Sequence, residues 1–168
     1  MTKRSVRAVT LSALAPRAGE LLWDIGGGSG SIAIEWLLSH PACSAISIEA
    51  RQDRVGLIRS NADGLGVDRL QIVAGKAPAS LENLAEPDAV FIGGGLSETM
   101  ISNLEKRLKP GTRIVANGVT LEAETLLAKT HARKGGELLR LEMSQAKSLG
   151  SKSAWDRAYP IVQWSGVL

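Results

Sequence analysis

Between positions 24 and 30 the chain reads Asp-Ile-Gly-Gly-Gly-Ser-Gly, with glycines at 26, 27, 28 and 30. Glycine at this density marks a backbone that must take positive φ or let a ligand come close. An apolar run ends at Asp24 and a helical pattern begins after Gly30, so the helix N-terminus points back at the turn and favours a carboxylate or phosphate. Two cofactor classes compete for such a turn. S-adenosylmethionine would place its carboxylate against Gly26, Gly27, Gly28, Ser29 and Gly30, with Asp24 balancing its ammonium group. A nicotinamide dinucleotide needs G-x-G-x-x-G, which fails from Gly26 because position 31 is serine, yet passes in the frame Gly28, Gly30, Ala33. Glu49 closes the next apolar run, where an acid can hold the ribose hydroxyls of either cofactor. A phosphate-binding P-loop is excluded, since no Gly-Lys-Ser/Thr follows.

Other chemistry-bearing positions narrow the choice. Gly75-Lys76-Ala77-Pro78 follows the third apolar run, where methyltransferases place residues against an adenine. Gly93, Gly94 and Gly95 follow the fourth, and would leave room for a bulky acceptor beside a donor methyl group. That exit lacks the Asn/Asp-Pro-Pro-aromatic motif that orients amine nucleophiles, and lacks an Asp that would ligate a cation. Amine methylation is therefore disfavoured and no metal is expected. Neither His40, before Pro41, nor His131 sits in an acid–base constellation. Cys43 is the single cysteine. It forms no internal disulfide and is expected as a small buried side chain.

The elements that must position these residues alternate. Strands are predicted at 21–25, 45–49, 70–74, 89–92 and 113–117, with helices at 31–39, 53–65, 79–84, 98–108 and 121–134, and an amphipathic helix at 4–14 before the first strand. Near-continuous apolar strands alternating with helices argue for a doubly wound, mostly parallel α/β sheet. The last part differs. Residues 137–146 and 159–164 read as strands with no helix between them, and so should pair antiparallel, with the polar stretch 147–157 as a loop. Five parallel units and a terminal antiparallel hairpin form the class I methyltransferase (Rossmann-like) topology.

With 168 residues, 44% hydrophobic and 22% charged, the chain is expected to be one soluble domain spanning 1–168. No apolar run approaches a membrane span and no signal-peptide pattern is present, so a cytoplasmic setting is expected. Only two aromatics other than Trp occur, Phe91 and Tyr159, which argues against base stacking on nucleic acid. Charge is uneven: residues 1–100 carry nine Lys/Arg against eleven Asp/Glu, and 101–168 carry eleven against six. A basic C-terminal part suits an anionic partner.

The stretch Leu22-Trp23-Asp24-Ile25 through Ser31-Ile32-Ala33-Ile34-Glu35-Trp36, with Thr2-Lys3-Arg4-Ser5-Val6-Arg7, the segment 87–95 and Pro160-Ile161-Val162-Gln163-Trp164, resembles the CbiT-like C-terminal half of the precorrin-6Y C5,15-methyltransferase (decarboxylating) family. The resemblance runs nearly end to end. It implies C-methylation of a precorrin macrocycle at C15 by S-adenosylmethionine, with decarboxylation of the C12 acetate, in vitamin B12 biosynthesis. It implies cofactor positions at Thr2, Gly26 through Gly30, Glu49 and Ala77, a homotetramer, and a separate C5-methyltransferase domain as fused partner. Many relatives carry an acid or amide where this chain has Lys76, so the Ala77 amide is left to meet the adenine.

A macrocycle bearing many carboxylates gives the basic C-terminal part a purpose. Lys147, Lys152 and Arg157 are the first candidates to clamp them, and Trp155 could pack on the flat ring. An NAD-linked oxidoreductase would need a Tyr-Lys or His-acid pair, and Tyr159 has no Lys four residues on. A non-catalytic cofactor-binding scaffold is a third reading.

Overall fold

The computed structural model describes residues 3–167. Thr2 lies outside the described residues.

The central sheet has seven strands in the order β3-β2-β1-β4-β5-β9-β6. β1 (Leu21–Ile25), β2 (Ser44–Glu49), β3 (Gln71–Ala74), β4 (Ala89–Ile92) and β5 (Arg113–Gly118) run parallel. β6 (Glu137–Leu141) and β9 (Ile161–Val167) pair antiparallel, and β9 inserts between β6 and β5. This is the class I methyltransferase arrangement, and the expected terminal hairpin is its last two strands. The strand order turns between β1 and β4, and the glycine turn and the Gly93–Gly95 exit leave the sheet at that switch point, where ligands bind in open α/β sheets.

Both sheet faces are covered, which is why the strands read as near-continuous apolar runs. Leu22, Ala89, Phe91 and Val115 face one way, under α1 (Arg4–Leu14), α2 (Ser31–Ser39) and α3 (Gln52–Gly64). Their strand neighbours Trp23, Val90, Ile92 and Ile114 face the other, under α4 (Glu98–Arg107) and α5 (Leu121–Lys134). Ser97 caps α4 by accepting from the Met100 N–H, and Thr120 caps α5 by accepting from the Ala123 N–H.

Helix α1 buries Val6, Thr10 and Leu14, one residue per turn. It ends where Ala15 turns left-handed before Pro16. Arg113 fixes that end: its guanidinium pairs with Glu20, and its Nε donates to the Leu14 carbonyl at 2.8 Å. Arg7 pairs with Glu35, tying α1 to α2. These ties hold α1 across the sheet edge that later forms a cavity wall. Cys43 is buried, as expected.

Two expectations are corrected. The stretch 147–157 is no loop. It lies in an antiparallel hairpin, β7 (Ser144–Leu149) with β8 (Lys152–Arg157), turned by the two-residue Gly150-Ser151 loop, with Gly150 at φ +61. The strand expected over 137–146 accordingly divides into β6 and β7. Every residue of both arm strands is exposed. Strands with no buried face need no apolar alternation, so periodicity could not show them. The helix expected at 79–84 is a single 3-10 turn, Ala79–Leu81, burying only Leu81.

Candidate functional site

The turn after β1 is built by backbone contacts that side chains would prevent. The Gly26 and Gly27 N–H groups both donate to the Ile48 carbonyl, at 2.9 and 3.2 Å, and the Gly30 N–H closes back on the Gly27 carbonyl at 2.8 Å. Gly26 has φ +75, and a Cβ there would stand 2.6 Å from the Gly94 nitrogen. At Gly27 a Cβ would meet the Ser47 hydroxyl at 2.0 Å.

Glu49 braces this turn from β2. It is 4% exposed. One carboxylate oxygen accepts from the Gly28 N–H at 2.8 Å and the other from the Arg51 N–H at 2.9 Å. A carboxylate offers about four acceptor positions, so it keeps capacity for hydroxyl donors beside the turn.

Asp24, expected to balance an ammonium group, is 1% exposed and lies beneath the turn. Its Oδ2 accepts from the Ala33 N–H at 3.3 Å, reaching into the first turn of α2. Burial pushes its carboxyl up to about 7, the nearby Glu49 charge adds to this, and the Ala33 hydrogen bond opposes it.

A cavity of about 230 Å³ opens on the turn. Gly26 through Ser29 form one wall, Ser31 and Ile32 bring the first turn of α2, and Phe91 and Gly93 close the far side. Ala77 lies elsewhere, in a cleft of about 530 Å³ between the 3-10 turn and α4, with Lys76, Lys106 and Arg107. Arg107 also stacks over Trp23, 5.2 Å from the ring centre.

Phe91 and Gly93 form a wall with two sides. Beyond them lies a second cavity of about 520 Å³, lined by Lys3 and Val6 of the α1 end, Asn117 and Val119 of the β5 end, and Arg157, Tyr159 and Ile161. Of the three exit glycines, Gly93 alone lines these cavities, whereas Gly94 packs on Gly26. Of the three proposed carboxylate clamps, Arg157 alone lines this cavity. Lys147 pairs with Asp156 across the arm at 2.5 Å, and Lys152 stands at the arm's tip opposite Leu149. Trp155 is on the arm and 73% exposed, not at either cavity. The arm strands pair only with each other, so charges along 147–152 are carried away from the cavity that Arg157, at the arm's base, reaches.

Lys3, Phe91, Asn117 and Tyr159 were not singled out as site residues. Asn117 carried a usable signal, because it closes the strand expected at 113–117 and lies next to the last residue of β5, at the carboxyl edge where ligands bind. Lys3 and Tyr159 carried none, since only the packing of α1 and the return of the arm bring them together. Neither histidine lines these two cavities, and His40 is an exposed loop residue whose Nδ1 accepts from the Ala42 N–H.

A family model described as the precorrin methyltransferase domain matches residues 1–168. The chain is 52% identical over 166 residues to a Sinorhizobium sp. protein named precorrin-6Y C(5,15)-methyltransferase [decarboxylating], covering 98% of this chain and 40% of that relative. It is 31% identical to a probable cobalt-precorrin-6B C(15)-methyltransferase (decarboxylating) of Sulfurisphaera tokodaii, covering 92% of this chain and 82% of the relative. The crystal structure of the C-terminal domain of precorrin-6Y C5,15-methyltransferase from Rhodobacter capsulatus superposes with a TM-score of 0.96 at 54% identity, covering all of this chain and 91% of the other.

Proposed function

This chain belongs to the precorrin methyltransferase domain family, and on that premise we propose that it methylates a precorrin macrocycle at C15 with S-adenosylmethionine and removes the carboxyl group of the C12 acetate, in cobalamin biosynthesis. The observation that carries the reading is the shared wall of Phe91 and Gly93 between the glycine-turn cavity and the larger cavity. The two cavities meet at this edge, and because Gly93 has no side chain a donor in one and an acceptor in the other can reach each other past it.

The residues fit the donor. The turn glycines let its carboxylate come close. The N–H groups of Ser29, Ser31 and Ile32 at the start of α2 are left to bind it, because those of Gly26, Gly27 and Gly28 already bond Ile48 and Glu49. Glu49 offers its remaining acceptor positions to ribose hydroxyls. Asp24 acts on the turn from below. When bound, S-adenosylmethionine supplies an electrophilic methyl group on a sulfonium. The chain's task is to align that methyl about 3 Å from a ring carbon and exclude water. A ring carbon conjugated as an enamine is already nucleophilic, so no strong base is required of the protein. The Ala77 amide in its own cleft is the further contact proposed for the adenine.

On the acceptor side Arg157 and Lys3 suit a polycarboxylate. The chain spans 40% of the length of its Sinorhizobium relative. We propose that it is the C15-methylating, C12-decarboxylating part of a longer enzyme whose other part methylates C5; the homotetramer that the resemblance implies and a cytoplasmic setting are proposed with it. Among the described residues no helix is long and apolar enough to cross a membrane.

The test is to incubate the protein with labelled S-adenosylmethionine and the metal-free 6B-type precorrin and read the product by mass spectrometry. Gain of one methyl group and loss of one carbon dioxide is expected. Tight retention of NADH with no retention of S-adenosylmethionine would overturn the reading.

A further inference from the structure

The larger cavity is graded from mouth to floor. Lys3, Arg157 and Tyr159 at its mouth are exposed, and Tyr159 is 86% so. Val6 and Phe91 are buried at its base, at 1% and 4% exposure, and Asn117 is half-buried beside them. The cations therefore stand at the entrance, and the floor is apolar but for one amide.

That amide is held from beneath. The Asn117 Nδ2 donates to the Thr10 hydroxyl at 3.0 Å, and its Oδ1 accepts from the Gln163 Nε2 at 2.8 Å. Gln163 also donates to Thr10 at 3.0 Å. Thr10 and Gln163 are fully buried, on α1 and β9. Two elements, α1 and β9, thus commit buried polar groups to fixing one side chain near the end of β5. A primary amide has two N–H donors. One is taken by Thr10, and no acceptor among the described residues takes the other, which leaves it for the cavity.

Resting on the reading that this cavity takes a macrocycle bearing several carboxylates, we propose that its two ends sort them: Lys3 and Arg157 hold carboxylates that stay, and Asn117 orients the acetate carboxylate that leaves. The physical reason is charge. Decarboxylation breaks the bond between the side-chain methylene and the carboxyl carbon. The electron pair passes into the conjugated ring, carbon dioxide departs, and a proton from water ends on the methylene carbon to give a methyl group. The carboxylate loses its negative charge in this step. A cation paired with it would stabilise the ground state more than the transition state and slow the reaction. A single neutral N–H fixes direction with a weaker hold, and the apolar walls of Val6 and Phe91 favour the uncharged product. Thr10 and Gln163 are positioning residues that act through Asn117.

The experiment measures labelled carbon dioxide release and labelled methyl incorporation separately for wild type, Asn117→Asp, and the double variant Lys3→Gln/Arg157→Gln. Asn117→Asp keeps the size but presents a like charge and no donor. It is expected to slow carbon dioxide release at least about tenfold more than methyl transfer, with S-adenosylmethionine affinity unchanged. Lys3→Gln/Arg157→Gln is expected to raise substrate KM and leave the ratio of the two rates as in wild type. Equal slowing of both steps by Asn117→Asp overturns the proposal. Should that variant not fold, a changed rate ratio in the double variant overturns it and an unchanged one supports it. Absence of both activities in wild type overturns the functional reading itself, and the proposal with it.

Discussion

Gly26 and Gly94 leave different strands, β1 and β4, and touch backbone to backbone. A Cβ on Gly26 would lie 2.6 Å from the Gly94 nitrogen and 2.7 Å from its Cα. The glycine turn and the strand-four exit are therefore one structure, in which neither can shift without the other. Since Gly94 is the chain neighbour of Gly93, which lines both cavities, this contact also fixes the position of the wall between them.

Gly26→Ala is expected to abolish S-adenosylmethionine binding and lower stability by at least about 1–3 kcal/mol, the usual range for one strained residue, because a positive φ is compounded by a clash with backbone. Gly28→Ala is the control. It shares the positive φ, but its Cβ would meet nothing nearer than 3.8 Å, so its stability loss should be clearly smaller. Thermal melts and calorimetric titration of both variants check this, and similar melts for the two would contradict the packing argument.

Glu49→Gln replaces a carboxylate that accepts from two backbone amides with a group having one acceptor oxygen. Hydrogen bonds to charged groups contribute about 1.5–3 kcal/mol. S-adenosylmethionine affinity is expected to fall about 10- to 100-fold, from the loosened turn and from the lost acceptor capacity for ribose hydroxyls. Titration calorimetry at constant pH measures it.

Asp24 makes stability depend on pH. Its carboxyl is raised from 3.8 to about 7, so between those values the folded protein holds a proton that the unfolded chain has released. Stability contributed by this group is complete below about pH 4, falls as pH rises toward 7, and is flat above. A shift of this size corresponds to a few kcal/mol, at about 1.4 kcal/mol per pKa unit. Asp24→Asn, which keeps an acceptor for the Ala33 N–H and cannot ionise, should gain stability over wild type at pH 8 and lose that advantage near pH 4. Denaturant midpoints across this range read the difference, and a constant offset would refute the assignment.

Arg157 should separate from the two lysines once grouped with it. Arg157→Ala is expected to raise substrate KM about three- to tenfold with S-adenosylmethionine affinity unchanged, a modest figure because the side chain is exposed. Lys147→Ala, which loses an exposed pair to Asp156, and Lys152→Ala should each leave KM within about twofold. Steady-state kinetics on the three variants decide it.

Several parts of this protein were legible from the chain alone. Covering both sheet faces forces apolar strands, and the covering helices need a 3.6-residue pattern, so α1, α2 and α5 agree with their expected ranges. The glycine turn was equally legible, because only glycine serves where backbone meets backbone, and Glu49 was placed by the rule that strand ends meet ligands. These features depend on interactions within a few residues or on a periodic demand that leaves its mark in composition. The arm was not legible, since strands exposed on both faces impose no pattern. Nor was the second cavity. Lys3, Phe91, Asn117 and Arg157 are scattered along the chain and meet only because α1 crosses the sheet edge, β9 inserts beside β5, and the arm returns its base to that edge. Sequence alone determined the fold class and the turn that suits a donor. Which side chains line the second cavity was decided by tertiary packing, because long-range contacts between single residues leave no periodic trace in the sequence.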